Sequence, residues 1–195
     1  MRLAPVVAAA AAVANLLLLA LLHVLPSEVD PLTRPVSEYA LGDFGWLAAT
    51  RTVVEGVGVI ALAVALLLER AATQRLQRVA ALILLVVGLL KLAMPLFPVD
   101  ALGTPATSAG QIHNLLGNLT FFMFPLAALL LFGPLARMGS RWAPACSVVL
   151  AVATVGVLIG NAVWGFGLAQ RVYLVLSAIW VFFAAVAVLR NRRSQ

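Results

Sequence analysis

Six apolar runs, each close to the length of a bilayer crossing and joined by short polar connections, restrict this chain more than any other feature. They cover about residues 4–25, 46–68, 77–97, 112–133, 144–166 and 170–189. A membrane-spanning helix needs about 20 predominantly apolar residues. In a chain of 195 residues these runs leave no room for a soluble domain. The expected architecture is therefore all-α, a single six-helix transmembrane domain over residues 1–195. Composition agrees: 64% of the residues are hydrophobic and only 10% charged, whereas a soluble domain is about half apolar and a quarter charged.

The first run follows Arg2 and invites comparison with a signal peptide. Its apolar stretch exceeds the 7–15 residues of a signal core, and Leu25-Pro26-Ser27 lacks a small-x-small cleavage site. It is read as a retained helix. Cys146 is the only cysteine, so no disulfide framework is available.

The net charge of +6 is a topology signal rather than a nucleic-acid footprint. Arg2, Arg70, Arg75, Arg78, Arg137, Arg141, Arg190, Arg192 and Arg193 fall in alternate connections and at the termini. Arg34, Arg51 and Arg171 fall toward the other side, as does Lys91, the sole lysine. By the positive-inside rule both termini are expected in the cytoplasm. Abundant arginine, alanine, valine and leucine fit a GC-rich bacterial genome, and hence the bacterial cytoplasmic membrane. No nucleic-acid partner is expected. With no nucleotide motif present, no cofactor is expected either.

The acidic residues lie mostly on the expected outer side: Glu28, Asp30, Glu38, Asp43, Glu55 and Asp100, with Glu69 alone inside. Loop acids facing water need no explanation. Glu55 and Lys91 do, because they interrupt apolar runs. Glu55 lies nine residues beyond Trp46 and Lys91 six residues before Phe97, about 13 Å and 9 Å along their helices. A lone charge at the bilayer centre costs on the order of 3 kcal/mol on insertion scales, so such groups pair or face water. The expected partners are each other, with Arg51 at i,i+4 from Glu55. Pro95 removes the hydrogen bond to the carbonyl of Lys91 and predicts a kink there. Gly88, three residues back on the same face, is expected to leave space. The bland counterpart is an ion pair that only fixes helix register.

Between the first two runs, residues 26–45 form the longest connection. Pro35 followed by Val-Ser-Glu-Tyr-Ala-Leu and Gly42 predicts a short interfacial helix. Tyr39, Phe44 and Trp46 are expected at the headgroup level. His113, Asn114 and Asn118 open the fourth run, and Asn161 lies in the fifth beside Gly156-x-x-x-Gly160, a small-xxx-small pattern of close helix packing. Residues 165–170 are expected to form a tight turn. Two histidines, His23 and His113, with no thiolate pair and no HxxxH spacing, argue against a metal site. A bis-histidine haem would require the first and fourth helices to be neighbours.

Pro35-Val-Ser-Glu-Tyr-Ala-Leu-Gly-Asp-Phe-Gly-Trp46, Phe97-Pro-Val-Asp100 and Gly110-Gln-Ile-His113 resemble the recurring motifs of a prokaryotic membrane family, domain of unknown function 998. The resemblance covers essentially the whole chain. It implies a six-helix integral membrane protein and singles out Ser37, Glu38, Asp100 and His113.

The leading expectation is an outward-opening polar pocket lined by Glu38, Arg51, Glu55, Lys91, Asp100, His113, Asn114 and Asn161. It would bind or transport a membrane lipid headgroup or a small polar solute. A second expectation is a lipid hydrolase or transferase, with His113 as base, Asp100 or Glu38 orienting it, and Ser37 or water as nucleophile. A third is a structural or assembly partner whose buried charges only lock the bundle.

Overall fold

The computed structural model describes residues 3–69, 75–101, 103–163 and 166–191, with side chains of the sixth long segment described up to Val157. Among them every regular element is helical. The α-helices are α1 (Leu3–Val24), α2 (Gly45–Leu67), α3 (Arg75–Ala93), α4 (Ser108–Leu130), the short α5 (Phe132–Arg137), α6 (Trp142–Val163) and α7 (Phe166–Asn191), with 3-10 helices at Val36–Leu41 and Met94–Leu96. Five of them are long and apolar enough to cross a membrane: α1, α2, α3 with its 3-10 extension, α4 and α7. The described apolar part of α6, Trp142–Val157, is shorter. Apolar side chains such as Leu17, Leu89, Phe122 and Val152 line the exterior, as expected where hydrocarbon is the solvent.

The long helices close a ring in the order α1, α2, α3, α4, α6, α7, with α7 packed back on α1. Helix α2 also touches α7, and these two are the most buried of the five spans. Close backbone approach explains part of this order. A Cβ on Gly58 would come within 2.8 Å of the Ala11 Cβ, and one on Gly56 within 3.0 Å of the Gly88 carbonyl. Gly88 thus seats α3 on α2 and leaves no space beside Lys91, contrary to expectation. Gly156 has nothing within 4 Å of a built Cβ, so no helix packs closely at that position, and the surroundings of Gly160 lie outside those described.

Helix ends depart from the apolar runs where capping decides. Helix α4 begins at Ser108 because the Thr107 hydroxyl accepts a hydrogen bond from the Gly110 N–H at 3.1 Å, which carries a polar first turn into the helix. Helix α7 begins at Phe166, so residues 166–170, expected as a turn, are its first turn. At Pro95 the expected distortion takes the form of a change from α to 3-10 geometry, whereas Pro125 sits inside an unbroken α4. Of the basic connection expected through Arg78, residues 70–74 lie outside the described residues, while Arg75 and Arg78 belong to the first turn of α3.

Candidate functional site

Polar side chains meet at two levels of one end of the bundle, the end that carries the 26–44 loop. Both levels start from α1. Asn15 and His23 are eight residues apart on one helix face, about 12 Å along the axis.

At the deeper level the Arg51 Nη1 donates to Asn15 Oδ1 at 3.0 Å and lies 3.4 Å from Glu55 Oε2. Lys91 Nζ reaches the other carboxylate oxygen of Glu55 at 3.0 Å. The four residues are 1%, 5%, 9% and 8% exposed for Asn15, Arg51, Glu55 and Lys91. One carboxylate therefore serves two cations in the helix interior, and the chain Asn15–Arg51–Glu55–Lys91 crosses α1, α2 and α3. A cavity of about 10 Å³, room for about one water, is lined by Asn15, Glu55, Gly58, Phe124 and Ser177. Tyr173 of α7, fully inside the bundle, is close enough to Glu55 to feel its charge.

The shallower level is built around Arg171 of α7, which is 8% exposed. Its Nε donates to His23 Nε2 at 2.6 Å, and its Nη1 donates to the carbonyls of Arg34 at 2.8 Å and Gly167 at 3.0 Å. The guanidinium lies 5.8 Å from the ring centroid of Tyr39, which in turn sits 5.5 Å from the His23 ring. The 3-10 helix Val36–Leu41 is held to the same place: the Val36 N–H donates to Gln170 Oε1 at 2.6 Å, and the Leu168 N–H to the Leu32 carbonyl at 3.0 Å. Gly167 is required here, because a Cβ would come within 2.7 Å of the Arg34 carbonyl oxygen. Glu38, 3% exposed, forms an ion pair with Arg34. Tyr39, expected as an interface anchor, is instead buried beneath Arg171, while Trp46 is 66% exposed and keeps that position. In the solvent-facing part of the loop, the Thr33 hydroxyl and the Leu32 N–H donate to Asp30, holding its carboxyl below the usual carboxylate range.

A third polar group stands at the start of α4. Asp100 accepts from the Thr107 N–H and hydroxyl, both at 2.8 Å, and its carboxylate occupies the space a Cβ on Gly110 would need. His113 Nδ1 bonds the Phe97 carbonyl at 2.9 Å. These contacts tie the end of α3 to the start of α4.

Of the residues singled out in the sequence, Arg51, Glu55 and Lys91 come together. Glu38 belongs to the shallower level, and Asp100 and His113 to the α3–α4 junction. Asn114 is exposed on α4, and the Asn161 side chain lies outside those described. Ser37 is half-buried in the 3-10 helix. Among the described residues no hydrogen bond joins Ser37 to His113, and the Asp100 carboxylate serves Thr107. Asn15, His23, Gln170 and Arg171 were not picked out as site residues. Asn15 had a signal, as a polar residue in the middle of the Ala/Leu run of α1. Arg171 had none, since its partners are up to 148 positions away.

These features define a multi-pass helical membrane protein with charged groups buried between its helices. The chain belongs to the DUF998 family, described as proteins of unknown function, whose family model matches residues 8–187. No curated protein and no solved structure matches it significantly.

Proposed function

We propose that this chain is a six-helix protein of the bacterial cytoplasmic membrane, with both termini cytoplasmic, that binds an anionic group at the Arg51–Glu55–Lys91 level. The bound group belongs to a lipid headgroup or a small polar solute, taken up for retention or transport from the outer face. The sixth span is supported by the 22 residues of α6, and the orientation by the arginines of the end opposite the 26–44 loop.

The observation that carries the binding reading is one carboxylate between two buried cations. Among the described residues this level has a surplus positive charge, and an unpaired charge at this depth is unfavourable. A monoanion such as a phosphodiester would neutralise it and use the donors of Lys91 and Arg51.

The test is native mass spectrometry of protein extracted in mild detergent, comparing wild type with Lys91→Ala and Glu55→Gln. Retention of an anionic lipid or solute by wild type and Glu55→Gln, with loss in Lys91→Ala, is the expected result. Equal lipid occupancy in all three proteins would overturn the site.

A further inference from the structure

The His23 imidazole is held by two groups of opposite kind. Its Nδ1 lies 2.7 Å from the Leu19 carbonyl oxygen, which can only accept, so Nδ1 carries the proton. Its Nε2 lies 2.6 Å from Arg171 Nε, which can only donate, so Nε2 must be the bare acceptor. The contacts allow a single tautomer of neutral imidazole. A second proton would place an N–H against an N–H and a cation against the guanidinium.

What Arg171 holds makes this contact consequential. Through Nη1 it also binds the Arg34 carbonyl, and so fastens the 26–44 loop to α7. The Gln170–Val36 and Leu168–Leu32 hydrogen bonds also fasten it, and neither involves a titrating group. His23 itself is exposed, within reach of solvent protons.

We propose that the His23–Arg171 contact is a pH-sensitive latch: protonation of His23 breaks it and loosens the 26–44 loop from α7. Imidazole is the side chain whose charge ordinarily changes between about pH 5 and 8. The groups facing it account for no competing response there. From α7 it meets Arg171, a permanent cation, and Gln170, which is neutral. From the loop it meets Tyr39, the Arg34–Glu38 ion pair and, through the field at Arg171, Asp30, whose carboxyl is held below the usual carboxylate range. From α2 comes Arg51, one level deeper. The latch stands apart from ligand binding at the Arg51–Glu55–Lys91 level.

The test uses the full chain in detergent, with Cys146→Ala removing the native thiol and Val36→Cys reporting on docking, since Val36 is 2% exposed. Maleimide labelling rates are compared, at each pH, between this protein and the same protein carrying His23→Gln. Taking the ratio cancels the pH dependence of the thiolate itself. The expected ratio is near one at pH 7.5 and about tenfold at pH 5.5, the scale of a lost hydrogen bond to a charged group. An equal ratio at both pH values would overturn the latch. Nitrogen-15 NMR of His23 gives a reading that needs no variant at this position. The Nδ1–H tautomer at pH 7.5 is expected, and the Nε2–H tautomer would overturn the proposal even if His23→Gln does not fold.

Discussion

Both polar levels start from α1 and each holds an arginine more than nine-tenths buried, Arg51 in one and Arg171 in the other, yet they are built on different chemistry. In the deeper level Arg51 faces a carboxylate on its own helix and Lys91 answers from the next one. In the shallower level Arg171 faces no carboxylate among its hydrogen-bond partners; it binds a neutral imidazole and two carbonyls, two of the three from distant parts of the chain. Charge holds the first together, with both cations on one carboxylate. The second depends on one ring staying neutral. The contrast separates a junction that should tolerate mild acid from one that should not.

The strongest way to break this comparison is to remove the shared carboxylate. Glu55→Leu leaves Arg51 and Lys91 buried without a counter-charge and should cost about 3–5 kcal/mol, the scale for breaking a buried pair. Lys91→Leu leaves a balanced Arg51–Glu55 pair and should cost under about 1 kcal/mol or stabilise. Unfolding in detergent reads both, and a reversal of that order would mean that Lys91 holds the layer. Arg171→Ala should come next, at about 2 kcal/mol for its charge-assisted hydrogen bonds. Limited proteolysis should then cut within 26–44 first; unchanged protection there would show that Gln170 and Leu168 suffice. Asp100→Ala removes the bonds to Thr107 and should cost about 1 kcal/mol, the size of a capping contact. Faster hydrogen exchange confined to the first turn of α4 is its signature.

Asp30→Asn should have the smallest effect, with no measurable change in Tm. Its lowered folded value means that its contribution is present above the ordinary carboxylate range and lost only as pH falls through the folded value. A loop transition between pH 7.5 and 5.5 that survives in Asp30→Asn and vanishes in His23→Gln therefore belongs to the imidazole.

What was legible in the sequence follows the same division. Intramembrane charges are few, and helix rise converts residue counts into depth, so Glu55, Lys91 and Arg51 could be matched before any contact was known. His23 and Arg171 pair only because α1 and α7 adjoin, and no periodicity in either helix encodes that neighbour. Asp100 drew attention as an acid near a histidine, whereas its spacing to Thr107 and Gly110 makes it part of a helix start. Apolar runs located the long helices well. They missed the polar first turn of α4, where a capping hydrogen bond rather than hydropathy sets the boundary, and the start of α7 at residues 166–169.

The ring closed by α1 and α7 has a consequence for how the molecule comes into being. Chains emerge from the ribosome amino terminus first, so α1, α2 and α3 can join Asn15, Arg51, Glu55 and Lys91 while half the protein is still unmade. The 26–44 segment must wait for Arg171, on a helix delivered well after these three. A nascent chain halted before α7 should permit crosslinking of Glu55 to Lys91 and leave Val36 open to reagents; a protected Val36 in that chain would contradict this order. The shallower junction then serves as a timestamp, present only once α7 has taken its place beside α1.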